Sequence, residues 1–197
     1  MKSLPVWFIK LCIHVVSLVP LFWLYYQAFN DGLGADPVKA VIHFTGIGAF
    51  NLLIVTLLVS PLSRWLKNGK LQQCRRLVGL YAFTYALLHL VNFIAFDLQF
   101  DIALLLSEII KRPYITVGML AMLIITALAV TSPQVIKRKL GKKWQQLHNW
   151  TYPLALLIAV HFYWSVKSEL IEPSVYFAIV LALLYWRKQR IQRWLNL

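Results

Sequence analysis

The stretch YITVGMLAMLIITALAV, residues 114–130, holds no charged side chain, and the basic run Lys137, Arg138, Lys139, Lys142 and Lys143 follows it after the Ser132-Pro133 break. A helix of that length rises about 26 Å, close to the ~30 Å hydrocarbon core of a bilayer, and a basic cluster just beyond it marks the cytoplasmic side. Read outward from here, five further stretches share the character, and the expected helices cover approximately residues 6–29, 43–60, 77–96, 114–131, 149–166 and 174–187. The second, fourth and sixth are short and need flanking residues or tilted neighbours to fit. With 60% hydrophobic and only 14% charged residues, too little polar material exists to cover a water-facing surface, so lipid is the outer solvent. The expected fold is all-α: a six-helix transmembrane bundle forming a single domain over residues 1–197.

Residues 6–29 do not read as a cleaved signal. The apolar run is long, His14 lies inside it, and no small-x-small cleavage motif precedes the Asp31-Gly-Leu-Gly34 turn.

Charge fixes the expected orientation. Lys2 is N-terminal; Arg64, Lys67, Lys70, Arg75 and Arg76 separate helices two and three; the basic run above separates four and five; Arg187, Lys188, Arg190 and Arg193 follow helix six, and none of these segments holds an acid. All seven acids, Asp31, Asp36, Asp97, Asp101, Glu108, Glu169 and Glu172, fall in the three opposite loops, beside only Lys39, Lys111, Arg112 and Lys167. Both termini are therefore expected in the cytoplasm. The formal charge of +13 does not argue for nucleic acid, because the basic residues sit in short loops beside anionic headgroups with no soluble domain to present them. Cys12 and Cys74 form neither a disulfide framework nor a metal pair.

Prolines at Asp36-Pro37, Ser60-Pro61, Arg112-Pro113, Ser132-Pro133 and Glu172-Pro173 are expected at helix ends, whereas Pro20 and Pro153 lie within helices and bend them. The loop from Asp97 to Pro113 contains Ile102-Ala-Leu-Leu-Leu106 and is expected to lie as an interfacial helix on the outer side. No G-x-G-x-x-G or P-loop occurs, which argues against NAD(P)H as a direct substrate, and no serine, histidine and acid arrangement calls for a hydrolytic triad.

Five histidines, His14, His43, His89, His148 and His161, each carry a polar ring into or beside an apolar segment. One such ring often serves only as an interhelical hydrogen-bond partner, and that reading suits His14 and His43. His89 and His161 differ: they lie at matched depth on helices three and five, as two imidazoles must to ligate one haem iron axially. His148 precedes His161 by thirteen residues, about 20 Å toward the cytoplasm on a straight helix, a spacing that would suit a second redox centre. Thirteen residues also turn it about 140° away, a mismatch that only a bend or a non-helical start relieves. Zinc is a weaker alternative, since no close His/Cys/carboxylate cluster is visible. Gly46, Gly48, Gly79 and Gly118 offer close helix or macrocycle approach, and Trp7, Trp23, Trp65, Trp144, Trp164 and Trp186 read as interface anchors.

The segments GADPVK (34–39), HFTG (43–46), RRLVG (75–79), LH (88–89), KRPYITVG (111–118), RKLGKKWQQLHNWTY (138–152) and HFYWSVK (161–167) together resemble the ferric reductase-like transmembrane family, specifically its haem-binding membrane subunits of periplasmic methionine sulfoxide reductase systems. The similarity runs over essentially the whole chain. It implies a b-type cytochrome of the bacterial inner membrane that also binds FMN, takes electrons from the quinone pool or a cytosolic flavin reductase, and passes them to a periplasmic molybdopterin subunit that repairs methionine sulfoxide. It carries the haem histidines onto His89, His148 and His161, with His89, His161 and His148 as metal ligands. Where the wider family pattern has a fourth histidine, near the cytoplasmic start of helix three, this chain has Arg75 and Arg76, and charged guanidinium is no ordinary axial ligand. Two arrangements stay open: His14 helps hold a haem or quinone near His148, or a single haem is present and His148 binds something else. Arg75 and Arg76 hold a propionate or a flavin phosphate, or anchor in headgroups. On this reading the sulfoxide chemistry belongs to the partner and this chain is the electron carrier. A small permease is the competing class, although no internal transport repeat is convincing, and a haem-free membrane scaffold is another.

Overall fold

The computed structural model describes residues 5–166 and 168–196; Lys2 and Lys167, both used in the charge reading, lie outside the described residues. Regular structure among the described residues is helical throughout: α1 Val6–Phe29, α2 Pro37–Trp65, α3 Gly69–Asn92, α4 Ile102–Lys111, α5 Pro113–Val130, α6 Gln134–Leu140, α7 Lys142–His148, α8 Thr151–Ser165, α9 Ile171–Trp186 and α10 Lys188–Leu195, with a π-helical turn, Phe93–Asp97, continuing α3. Four of them, α1, α2, α3 with its π turn, and α5, are long and apolar enough to cross a bilayer, and α9 is a shorter apolar helix. The chain divides into two compact units, one ending at Ile102 and the other starting at Ala103.

In the first unit α2 and α3 form an antiparallel hairpin. Asp36 caps α2 by accepting the Lys39 backbone N–H at 2.9 Å, and Pro37 occupies the first helical position, where a missing N–H costs nothing. Asn68 caps α3 in the same manner through Lys70, at 3.1 Å. Gly48 brings the hairpin close, since a Cβ there would stand 2.4 Å from the Tyr85 ring. Beside it, α1 runs parallel to α3 in a nearly constant register of 67 residues. His14 Nδ1 meets Tyr81 Oη at 2.5 Å, Tyr85 Oη donates to the Ser17 carbonyl at 2.6 Å, and Tyr25 Oη donates to Asn92 Oδ1 at 3.1 Å. A small apolar core of Leu21, Ala49 and Tyr85 sits among these contacts. The chain leaves the π turn through Gln99 and Phe100, both left-handed at φ +49° and +61°.

In the second unit α5 packs against α8, and α8 against α9. Ala155 and Ala159 of α8 and Val180 of α9 are fully buried, and the two alanines are of the small kind that permits close helix approach. Arg112 links the start of α5 to α4 through Glu108 at 2.6 Å, and Thr116 Oγ1 donates to the Ile109 carbonyl.

Several local expectations change. Pro61 does not end α2 but lies inside it, because the helix runs on to Trp65. Pro153 is the third residue of α8, where its N–H would lack an intrahelical partner anyway; the break lies at Asn149 and Trp150, between α7 and α8. The segment after Asp97 does contain a helix, α4, with Ile102, Leu104, Leu106 and Ile110 exposed.

Candidate functional site

His89 occupies the last turn of α3, immediately before the π turn. Its Nδ1 lies 2.8 Å from the Ile42 carbonyl of α2. A carbonyl only accepts, so Nδ1 carries the proton, and in the neutral form of the ring the lone pair is on Nε2. The ring rests against Gly46, one turn after Ile42: a Cβ at Gly46 would lie 2.9 Å from Nδ1 and 3.0 Å from Cε1, closer than side chains tolerate.

The second unit contains the same arrangement. His161 of α8 has Nδ1 2.7 Å from the Tyr114 carbonyl of α5. Its ring rests against Gly118, where an added Cβ would lie 2.8 Å from both Nδ1 and Cε1. Again the lone pair belongs to Nε2. Histidines that bind iron or zinc characteristically donate the other ring nitrogen to a carbonyl or carboxylate, which fixes the tautomer and the ring plane.

His148 is held differently. It closes α7, its Nε2 is 3.1 Å from Thr131 Oγ1 at the end of α5, and its ring stacks on Trp144 with centroids 3.9 Å apart. Trp144 Nε1 donates to the Thr131 carbonyl at 2.9 Å, so one threonine anchors both aromatic rings, and Lys137 Nζ sits 4.5 Å over the indole. Trp144 therefore also serves as a structural prop for His148. Because α7 ends at His148 and α8 begins at Thr151, the straight-helix offset between His148 and His161 does not apply.

Of the other site residues, His14 makes its interhelical bond to Tyr81. Arg75 is half-buried and Arg76 exposed, both near the start of α3, about 20 Å of helix rise from His89. His43 is exposed near the start of α2. The first unit thus holds His14, Arg75, Arg76 and His89 in separate surroundings, and the second keeps His148 and His161 on different helices. Among the described residues no three His, Cys, Asp or Glu side chains converge as a metal cluster, and both cysteines are free thiols. Sequence reasoning missed the Ile42 and Tyr114 carbonyls, Thr131 and Tyr81; the only signal for the carbonyls is a glycine one turn later.

Apolar helices long enough to span a bilayer, carrying partly buried histidines whose Nδ1 faces a helix carbonyl, define a helical membrane protein with rings oriented for Nε2 ligation, and residues 45–159 match the family described as ferric reductase like transmembrane component. The chain is 46% identical over 187 residues, 94% of its own length and of the relative's, to the "Protein-methionine-sulfoxide reductase heme-binding subunit MsrQ" of Salmonella enteritidis PT4 (strain P125109). The same figures hold for the MsrQ of Salmonella newport (strain SL254). No solved structure matches it. The chain belongs to the MsrQ family, within the ferric reductase-like transmembrane proteins, and is a multi-pass membrane protein.

Proposed function

We propose that this protein is a b-type cytochrome of the bacterial inner membrane, with six spanning helices and both termini in the cytoplasm. It receives electrons from the quinone pool or a cytosolic flavin reductase and delivers them to the periplasmic molybdopterin subunit MsrP, where methionine sulfoxide is reduced. The observation that carries this reading is the pair His89 and His161, each with Nδ1 tied to a helix carbonyl and its lone pair on Nε2. An imidazole held in this way suits axial ligation of a haem iron, and the relatives' printed name supports haem as the group.

Haem b, when bound, supplies one-electron chemistry at an iron whose potential the surrounding protein sets. His89 and His161 would be its ligands; the Ile42 and Tyr114 carbonyls hold their rings and raise their basicity. His148, fixed by Thr131 and Trp144, serves the cytoplasmic side of the path. Arg75 and Arg76 hold an FMN phosphate or a propionate there, as charge-assisted donors suited to either oxyanion, and His14 supports that end through Tyr81.

Oxidised and dithionite-reduced absorption spectra of gently solubilised protein, with haem counted per chain, test this proposal. A low-spin b-type spectrum is expected in the wild type, lost alike in His89→Ala and His161→Ala. Folded wild-type protein without haem, or His89→Ala with the full low-spin spectrum, would refute the assignment and favour a permease or scaffold.

A further inference from the structure

The two histidine sites share more than a motif. In each the ring and its carbonyl partner are 47 residues apart, Ile42 to His89 and Tyr114 to His161, and in each the contacting glycine lies four residues beyond the carbonyl. All three pairs, Ile42 with Tyr114, Gly46 with Gly118 and His89 with His161, are related by one shift of seventy-two positions. That shift comes from geometry alone, yet it brings into line sequence the geometry did not use. SPLSRWLKNGK (60–70) falls on SPQVIKRKLGK (132–142), sharing Ser-Pro, then Lys, then Gly-Lys, with no insertion between them and the histidines. Ala49 falls on Ala121, both buried in their units, and Gln73 on Gln145. The identities are scattered, which is why the sequence alone shows no convincing repeat.

We propose that the hairpin α2–α3 and its counterpart from α5 to α8 are tandem copies of one histidine-presenting unit, in which Gly46 with the Ile42 carbonyl, and Gly118 with the Tyr114 carbonyl, are the positioning groups. The inference deepens the cytochrome reading and rests on it for the ligand. Its physical basis is that the helix carbonyl has two lone pairs, one for its own i+4 amide and one for the imidazole. The residue supplying that amide lies directly beside the incoming ring, and only glycine leaves space there. Neither glycine is needed for its backbone conformation, since both are helical; what is required is the missing Cβ. By the same shift Arg76 occupies the position of His148, so the copies agree at the outer histidine and have diverged at the inner one.

Gly46→Ala and Gly118→Ala test the inference, with Gly79→Ala as the control: an added Cβ there meets Thr56 only at 3.6 and 3.8 Å, ordinary contact distances. The readouts are haem per folded chain, the low-spin ferric electron paramagnetic resonance signal and the midpoint potential. Both site variants should lose most of the low-spin signal or shift its g-values and potential in the same sense, while the control matches wild type. An unchanged signal in both, or a change in one alone, overturns the proposal. If either variant fails to fold, nitrogen-15 spectra of histidine-labelled, reduced wild-type protein decide instead: protonated, hydrogen-bonded Nδ1 on both axial rings supports it, and an unprotonated Nδ1 on either refutes it. Wild-type protein without haem would sink the cytochrome reading alone. The clamp would then be judged by melting, with paired destabilisation of the two site variants expected and three equal midpoints overturning it.

Discussion

Substituting Gly48 by alanine forces a conflict whose size can be worked out. The new Cβ would sit 2.4 Å from Tyr85 Cδ1 and 2.5 Å from Cε1, so the ring or the backbone of α2 has to move. Overpacking of this kind costs about 1–3 kcal/mol. A displaced ring also gives up the 2.6 Å bond from Tyr85 Oη to the Ser17 carbonyl, about 1 kcal/mol more. Against these stands the helix-propensity gain of alanine over glycine, about 1 kcal/mol. The net expectation is a loss of about 1–3 kcal/mol. Gly79→Ala takes the propensity gain without the clash and should be neutral or slightly stabilised. Thermal unfolding of both variants in the same detergent, followed by circular dichroism, provides the comparison. A third protein, Tyr85→Ala, removes the ring, and Gly48→Ala on that background should cost far less than in wild type, a coupling that a double-mutant cycle reads directly. Equal midpoints for Gly48→Ala and Gly79→Ala, or additive effects in the cycle, would refute the packing of α2 on α3 described above.

Tags at either terminus should be protected in right-side-out cells and a tag between Asp97 and Glu108 exposed; external termini would reverse the charge-based orientation. Replacing both Arg75 and Arg76 by glutamine should release FMN while most haem stays bound, and retained stoichiometric FMN would assign these arginines to propionates or headgroups. Thr131→Val removes the hydroxyl facing His148 Nε2 but leaves the carbonyl that receives the Trp144 indole, so the protein should lose about 1 kcal/mol and stay folded. Its reduction from the cytoplasmic side should slow while the low-spin spectrum of the haem proposed for His89 and His161 is unchanged; loss of that spectrum would mean that His148 acts at the same centre.

How far the sequence discloses this protein depends on where the causes lie. The apolar runs locate the helix centres because burial in lipid is a property of side chains. They do not locate the ends. The second helix begins at Pro37 rather than near 43 and continues to Trp65, and the third begins at Gly69 rather than near 77, because backbone hydrogen bonding carries on through polar turns such as Lys70 to Arg76. Pro61 misleads for the same reason, its lost N–H being tolerated inside a long helix. His89, His148 and His161 stand out by residue type, yet the groups that orient the first two are main-chain oxygens of Ile42 and Tyr114, to which no residue letter corresponds. The prop under His148 is legible only in part, since a threonine and a tryptophan thirteen residues apart announce nothing until α7 folds beneath the end of α5.

The parallel register of α1 on α3 has a consequence for how the chain is made. His14 and Tyr25 have their bonding partners, Tyr81 and Asn92, 67 residues later in the sequence. At translation rates of roughly 5–20 residues per second, α1 leaves the ribosome several seconds, on the order of 3–13 s, before α3 can satisfy it. During that interval a helix with an imidazole and a phenol on its flank is exposed to hydrocarbon, where polar groups without partners are costly. The nascent protein therefore needs α1 to be kept at the insertion machinery, or shielded by another polar surface, until its third helix arrives.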